Sequence, residues 1–220
     1  IQDFSKKEVE NQFMLLQAQI DPHFLYNTLN TVSWMAANHQ DEDIQKLVID
    51  LVNLFRISLN NGKKTVTVEK EIELVRSYLG IMKYRYPGRY EDVYEIDENT
   101  RDLIIIKQVL QPLAENALTH GFLESDQKGI IRIESHLEKE SVILSVSNNG
   151  NPADLDKIDK ILHNDEQLKE KHYGIRNVNE RLIMYYGEEN GLHYQIKENE
   201  TRVEIRIPLQ KMKEELWLEQ

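Results

Sequence analysis

Between Leu110 and Gly121 the chain reads LQPLAENALTHG, placing a carboxylate, an amide and an imidazole close together at Glu115, Asn116 and His120. The apolar residues Leu110, Leu113, Ala114, Ala117 and Leu118 fall at helical spacing and predict a helix packed on a core. Asn116 and His120 are four apart and share a face, with Glu115 beside them, so one short helix is expected to offer all three groups to the same cleft. An amide oxygen suits Mg²⁺. Taken alone, such a triple is more often a polar helix edge turned to water, so its meaning depends on its company. A second reactive group is His23, directly after Pro22. One apolar stripe runs through Val9, Phe13, Leu16 and Ile20, another through Leu25, Leu29, Val32 and Ala36, and the phase jumps at the proline. Pro22 lacks an amide donor and should kink a helix or divide two. With Asn27, Asn30 and Trp34, His23 lies away from the second stripe, on a more polar face where an imidazole can act as a nucleophile.

These groups need elements to hold them. At 220 residues, 40% hydrophobic and 30% charged, the chain has room for two domains of an ordinary water-soluble kind. Its apolar runs are shorter than the roughly 18 residues of a membrane helix. It begins with Ile in what reads as mid-helix, so an upstream part is expected. A net charge of −11 repels phosphate backbones and argues against nucleic acid as a partner. The absence of cysteine excludes disulfides and thiolate chemistry.

Ile44, Leu47, Val48, Leu51, Leu54 and Phe55 mark a further amphipathic helix that stops near Asn61 and Gly62. Two amphipathic helices make a hairpin, and two hairpins pair naturally as a four-helix bundle, which predicts a homodimer; packing on the chain's own second domain is the alternative. Dimerisation is then expected to depend on the Val9 to Ile20 stripe. Residues 65–68 read as extended and 69–86 as a helix with Ile72, Val75, Leu79 and Met82 inward, ended by Pro87 and Gly88. Strands follow near 90–96, 130–137, 142–146, 192–197 and 202–207, with helices at 154–162 and 174–186 and an aperiodic, loop-like stretch at 163–172. The tail from residue 210 can be helical. The expected class is α+β: a helical hairpin over residues 1–64, then over 65–220 an α/β sandwich of antiparallel mixed sheet with helices on one face.

Two more stretches supply the company, VSNNGNP from Val146 to Pro152 and YGIRNVNERL from Tyr173 to Leu182. With LQPLAENALTHG they resemble, in order, the N, G1 and G2 boxes of the GHKL (Bergerat-fold) ATPases. Together with QAQIDPHFLYNTLN from Gln17 to Asn30 the set resembles the cytoplasmic region of LytS/YesM-type sensor histidine kinases. The resemblance implies ATP and Mg²⁺, His23 as phosphoacceptor, a response regulator as partner, and a membrane-anchored parent whose anchor lies upstream of residue 1. It implies Asn116 on the metal, Glu115 on the metal's waters or otherwise catalytic, and His120 near the phosphates. Asn148 and Gly150 would meet the nucleotide, and Gly174 would open a helix carrying Ile175, Arg176, Asn177 and Arg181, whose amides and positive end attract phosphate. This chain departs from the pattern where relatives carry aspartate (Asn148), glycine (Pro152 and His172) and a basic residue (Thr119), which leaves Arg176, Lys169 or Lys171 to supply charge. Asp21 replaces a frequent asparagine, near enough to raise the basicity of His23. Pro112 stands where hydrolysing relatives carry a water-activating glutamate, which favours transfer to a protein acceptor. The departures also define a rival, a non-catalytic nucleotide-gated dimer scaffold.

Overall fold

The computed structural model describes residues 22–38, 41–59, 63–123, 128–162 and 173–211. The Val9 to Ile20 stripe, Asp21, the stop at Asn61 and Gly62, the stretch 163–172 with Lys169, Lys171 and His172, and the tail beyond residue 211 lie outside the described residues.

Helices α1 (Pro22–Ala37) and α2 (Asp41–Leu59) come first. Met35 and Leu47 are buried, and Leu54 and Ile57 of α2 join the same core as the rest of the chain. The hairpin is thereby anchored on its neighbour through its second helix. β1 (Thr65–Thr67) runs straight into α3 (Val68–Arg85). Thr67 caps that helix by accepting the Lys70 N–H at 3.3 Å, with acids in the first turn and Lys83 and Arg85 in the last, where each favours the helix dipole. The predicted inward residues Ile72, Val75, Leu79 and Met82 are all buried. α2 and α3 approach closely at Gly80, where a Cβ would lie 2.5 Å from the Asp50 carboxylate. Burial there lifts the Asp50 pKa above the usual carboxylate value.

The main sheet holds β2 (Tyr90–Ile96), β4 (Gly129–Glu138), β5 (Ser141–Asn148), β6 (His193–Lys197) and β7 (Glu200–Pro208), in the order β2-β4-β5-β7-β6. It is mixed: β2 and β4 run parallel and the other pairs antiparallel. Val203, Ile205 and Ile207 point into the core and the residues between them point out, the period-two pattern of a half-buried sheet. Across the outer face Arg132 pairs with Glu95, Arg202 with Glu134, and Arg206 with Glu138. The inner face is covered by α3, α4 (Gln111–Leu118), α5 (Leu155–Leu162) and α6 (Tyr173–Tyr186). One strand among the described residues lies outside the sequence expectation. β3 (Ile104–Ile106) pairs antiparallel with β1 as a separate two-stranded ribbon, and three consecutive isoleucines show no alternation from which a strand can be read.

Candidate functional site

α4 is aimed by a clamp on the loop before it. Glu71 of α3 is fully buried and accepts N–H bonds from Gln108, from Val109 at 3.0 Å and from Leu110 at 3.2 Å. From the other side Arg181 of α6 donates to the carbonyls of Lys107 at 2.5 Å and Gln108 at 3.4 Å. Between them Gln108 is held at φ 57, a left-handed conformation that a residue with a side chain adopts only under such restraint. Burial raises the Glu71 pKa, opposed by its three amide donors and by Arg181. Leu110 precedes α4 without a side-chain cap of its own, so the Glu71 carboxylate takes the place of one. Pro112 sits in the first turn, where a missing N–H is harmless.

The expected single helix from Leu110 to Gly121 divides in two. α4 stops at Leu118 and Thr119–Leu123 continue as a π-turn, a widening that often accompanies functional sites. Asn116 and His120 still line one cavity, of about 420 Å³. Glu115 does not join them; it is exposed and lines a neighbouring cleft of about 360 Å³ with Gln111 and Thr119. Consecutive helix residues are turned by roughly 100°, which puts the carboxylate and the amide on different faces.

Asn116, Ala117 and His120 form one wall of the cavity, and Ile158 and Ile161 of α5 with Ile175 of α6 form the other. Asn148 and Thr201, direct partners on β5 and β7, close one part of it. Asn148 is buried and, among the described residues, its Nδ2 has no hydrogen-bond partner. The loop after β5 is fixed in place by the Asn151 N–H on the Gly121 carbonyl at 3.0 Å and the Ala153 N–H on Thr201 Oγ1 at 2.9 Å. Gly150, expected to let the backbone approach a nucleotide, instead lets it approach Gly121: a Cβ at Gly150 would collide with the Gly121 backbone.

Of the residues expected on α6, Ile175 lines the cavity. Gly174 is exposed and outside the cavity lining; a Cβ there would make only ordinary contact with Pro112 at 3.8 Å among the described residues. Arg176 pairs with Glu180 at 2.7 Å, and Asn177 is half-buried; neither lines the cavity. Arg181 is committed to the clamp, because the carbonyls of Lys107 and Gln108 turn toward it. His23 is the second residue of α1, and the next residue, Phe24, stacks on Tyr78 with ring centroids 5.9 Å apart, in the same cleft as Glu115. Glu71 lies outside every motif, and Asn179, though inside the YGIRNVNERL stretch, was not among the expected site residues. Asn179 is buried and accepts the Leu192 N–H at 2.8 Å, tying α6 to the start of β6. The signal for both is a polar residue standing on a helix stripe that is otherwise apolar, beside Ile72 in one case and Val178 in the other.

Among the described residues no group of three or more His, Cys, Asp or Glu side chains converges as a metal cage. One amide oxygen from Asn116 fits Mg²⁺ all the same, since that ion keeps waters and phosphate oxygens as most of its ligands.

Residues 11–90 match the family model described as histidine kinase, and residues 101–211 match that of the histidine kinase-, DNA gyrase B- and HSP90-like ATPases. The chain belongs to this ATPase family. Within it the relatives are sensor histidine kinases of the LytS/YesM type. The sensor histidine kinase YesM of Bacillus subtilis is 35% identical over 94% of this chain, and the sensor protein LytS of Staphylococcus haemolyticus 33% identical over 96%. The chain spans 36% of the length of each. Among solved structures, the histidine kinase domain of a blue-light activated histidine kinase from Erythrobacter litoralis has a TM-score of 0.52 at 18% identity, covering 94% of this chain and 95% of that one. The catalytic domain of histidine kinase ThkA has a TM-score of 0.51 at 21% identity, covering 67% and 97%. Both share the ATPase fold, helices on one face of a mixed sheet. Among the described residues no helix is long and apolar enough to cross a membrane.

Proposed function

We propose that this chain is the kinase core of a two-component sensor, which binds ATP with Mg²⁺ in the cavity, phosphorylates His23 and passes the phosphoryl group to an aspartate of a response regulator. The observation that carries the reading is the division of labour across α4. Asn116 faces the cavity, while Glu115, the preceding residue, faces the cleft in which Phe24 brings in the start of α1. One helix therefore addresses both a nucleotide and the helix that carries the acceptor. Mg²⁺ held by Asn116 and the phosphates would neutralise charge as the γ-phosphoryl group transfers. His120 is placed to contact phosphate oxygens from the same wall. A neutral imidazole nitrogen of His23 forms the new N–P bond as the bond from the γ-phosphorus to the bridging oxygen breaks and ADP leaves with the electron pair. Glu115 stands on the side of α4 where a carboxylate can take the imidazole proton. The start of α6 reaches the cavity through Ile175, and in this reading the positive end of that helix draws the phosphates toward it.

The working unit is a homodimer. Leu29, Trp34, Val48, Ile49 and Val52 of the hairpin are exposed, and a second hairpin would cover such a surface as a four-helix bundle. In this reading the chain is the cytoplasmic region of a sensor whose parent is anchored in the membrane; the relatives' printed names support the sensor role. We place the boundary between the hairpin and the ATPase domain at residues 64 and 65. Incubation with γ-labelled ATP and Mg²⁺ tests the assignment: acid-labile label is expected on the wild type and absent from His23→Gln. ATP binding with no label on the wild type would instead make the chain a nucleotide-gated scaffold.

A further inference from the structure

This inference rests on the nucleotide reading of the cavity and concerns the base that it admits. Ala117, Ile158, Ile161 and Ile175 give the cavity apolar walls, the surface on which a flat purine ring settles when it leaves water. Beside those walls stands Asn148, 5% exposed, with an Nδ2 that finds no partner among the described residues. A buried amide left unpaired is costly and marks where a ligand's polar edge belongs. The backbone of Asn148 is held in the β5–β7 ladder opposite Thr201, and its side chain rests on Gly121, where a Cβ would come within 2.5 Å of Nδ2. Its place is fixed, and the rotation left to it is the half-turn that exchanges Oδ1 with Nδ2.

That half-turn decides base choice. An ionised carboxylate at this place would only accept hydrogen bonds, so it would reward the exocyclic amine of a 6-aminopurine and repel the carbonyl of a 6-oxopurine. An amide matches either. In one orientation Oδ1 accepts from the 6-amino group while Nδ2 donates to N1; reversed, Nδ2 donates to O6 while Oδ1 accepts from N1–H. We propose that Asn148 makes the site tolerant of the base's 6-substituent, so that 6-oxopurine nucleoside triphosphates of the inosine and guanosine type enter it alongside ATP.

The experiment is calorimetric binding of ATP and of ITP, each with Mg²⁺, to the full chain and to Asn148→Asp. The two nucleotides differ only at the purine 6-position and the proton on N1. In the wild type the ratio of Kd values for ITP and ATP is expected to stay within about tenfold, and in Asn148→Asp to rise by at least about tenfold, as when a polar edge meets the wrong partner. The ratio cancels any general weakening of the variant. A wild type that binds ATP and rejects ITP by more than about a hundredfold, or a ratio unmoved by Asn148→Asp, would overturn this inference while leaving the nucleotide site standing. Failure of both nucleotides to bind the wild type would overturn the site itself, and the inference with it.

Discussion

α3 buries ten of its eighteen residues between the hairpin and the sheet, whereas α1 and α2 leave Trp34 63% exposed and Val52 57% exposed, with Val48 and Ile49 on the same stretch of α2. The ATPase layer is finished within one chain: its sheet face, its helices and the loop that aims α4 all find their partners internally. The hairpin is half finished, anchored on the core by Phe24, Leu54 and Ile57 and open along Trp34, Val48, Ile49 and Val52. The two regions carry apolar residues at the same helical spacing, so what separates them is the cover each has, which is a property of tertiary structure.

Substitutions can break that contrast. The largest effect is expected from Glu71→Ala, which leaves three amide donors without their shared acceptor and removes the negative charge that faces Arg181. The loss should be about 3 to 5 kcal/mol in chemical denaturation, with ATP affinity falling as α4 loses its aim. Glu71→Gln should recover only part, because an amide presents one acceptor oxygen instead of two. Ile133→Ala in the fully buried centre of β4 should cost about 2 to 5 kcal/mol through lost transfer energy and the cavity left behind. The paired substitutions Ile49→Asp and Val52→Asp should change the unfolding free energy of the monomer by within about 1 kcal/mol, yet shift sedimentation from dimer to monomer. If those two instead destabilise the monomer as much as Ile133→Ala does, the open face of the hairpin is covered within the chain and the contrast is wrong.

The smallest effect belongs to the seam between the regions. The Asp50 pKa is raised by burial against Gly80, so the folded chain holds its proton to higher pH than the unfolded chain does. The contribution of this group is therefore fully present below its unfolded pKa and is lost as pH rises through the raised folded value. Asp50→Asn should flatten the pH dependence of stability in the window above the ordinary carboxylate value and raise the Tm slightly at neutral pH. The change should be under about 1 kcal/mol, since the group remains partly hydrated. A pH profile of Tm for both forms checks the sign.

Much of this arrangement was legible in the chain. Periodicity located α3, α6 and the five strands of the main sheet to within a few residues, because each element repeats its apolar pattern often enough to define a period. The N-box segment was legible as to its cavity but not as to its division: nothing local in THGFL separates a π-turn from another turn of α-helix, and the π-turn lies where Gly121 meets the backbone at Gly150. Glu115 shows the limit of spacing arguments. Its nearness to Asn116 along the chain suggested a common cleft, and the helix turned it into the other one. Arg181 shows a second limit. An arginine near a glycine-rich motif looks like a phosphate ligand, and only the fold reveals two carbonyls that already hold it.

The parallel pairing of β2 with β4 has a consequence for how the molecule assembles. β4 and β5 meet across a two-residue turn, as do β6 and β7, so those hairpins close through local contacts on the microsecond scale. Tyr90 can meet Gly129 only after the long crossover that contains β3, α4 and the π-turn has closed. Because loop-closure entropy delays such distant contacts, the wall bearing Asn116 and His120 is completed late, after the strands opposite it. A ligand that recognises the finished cavity has little to hold in the folding transition state. Its stabilisation should appear as slower unfolding, with the folding rate nearly unchanged.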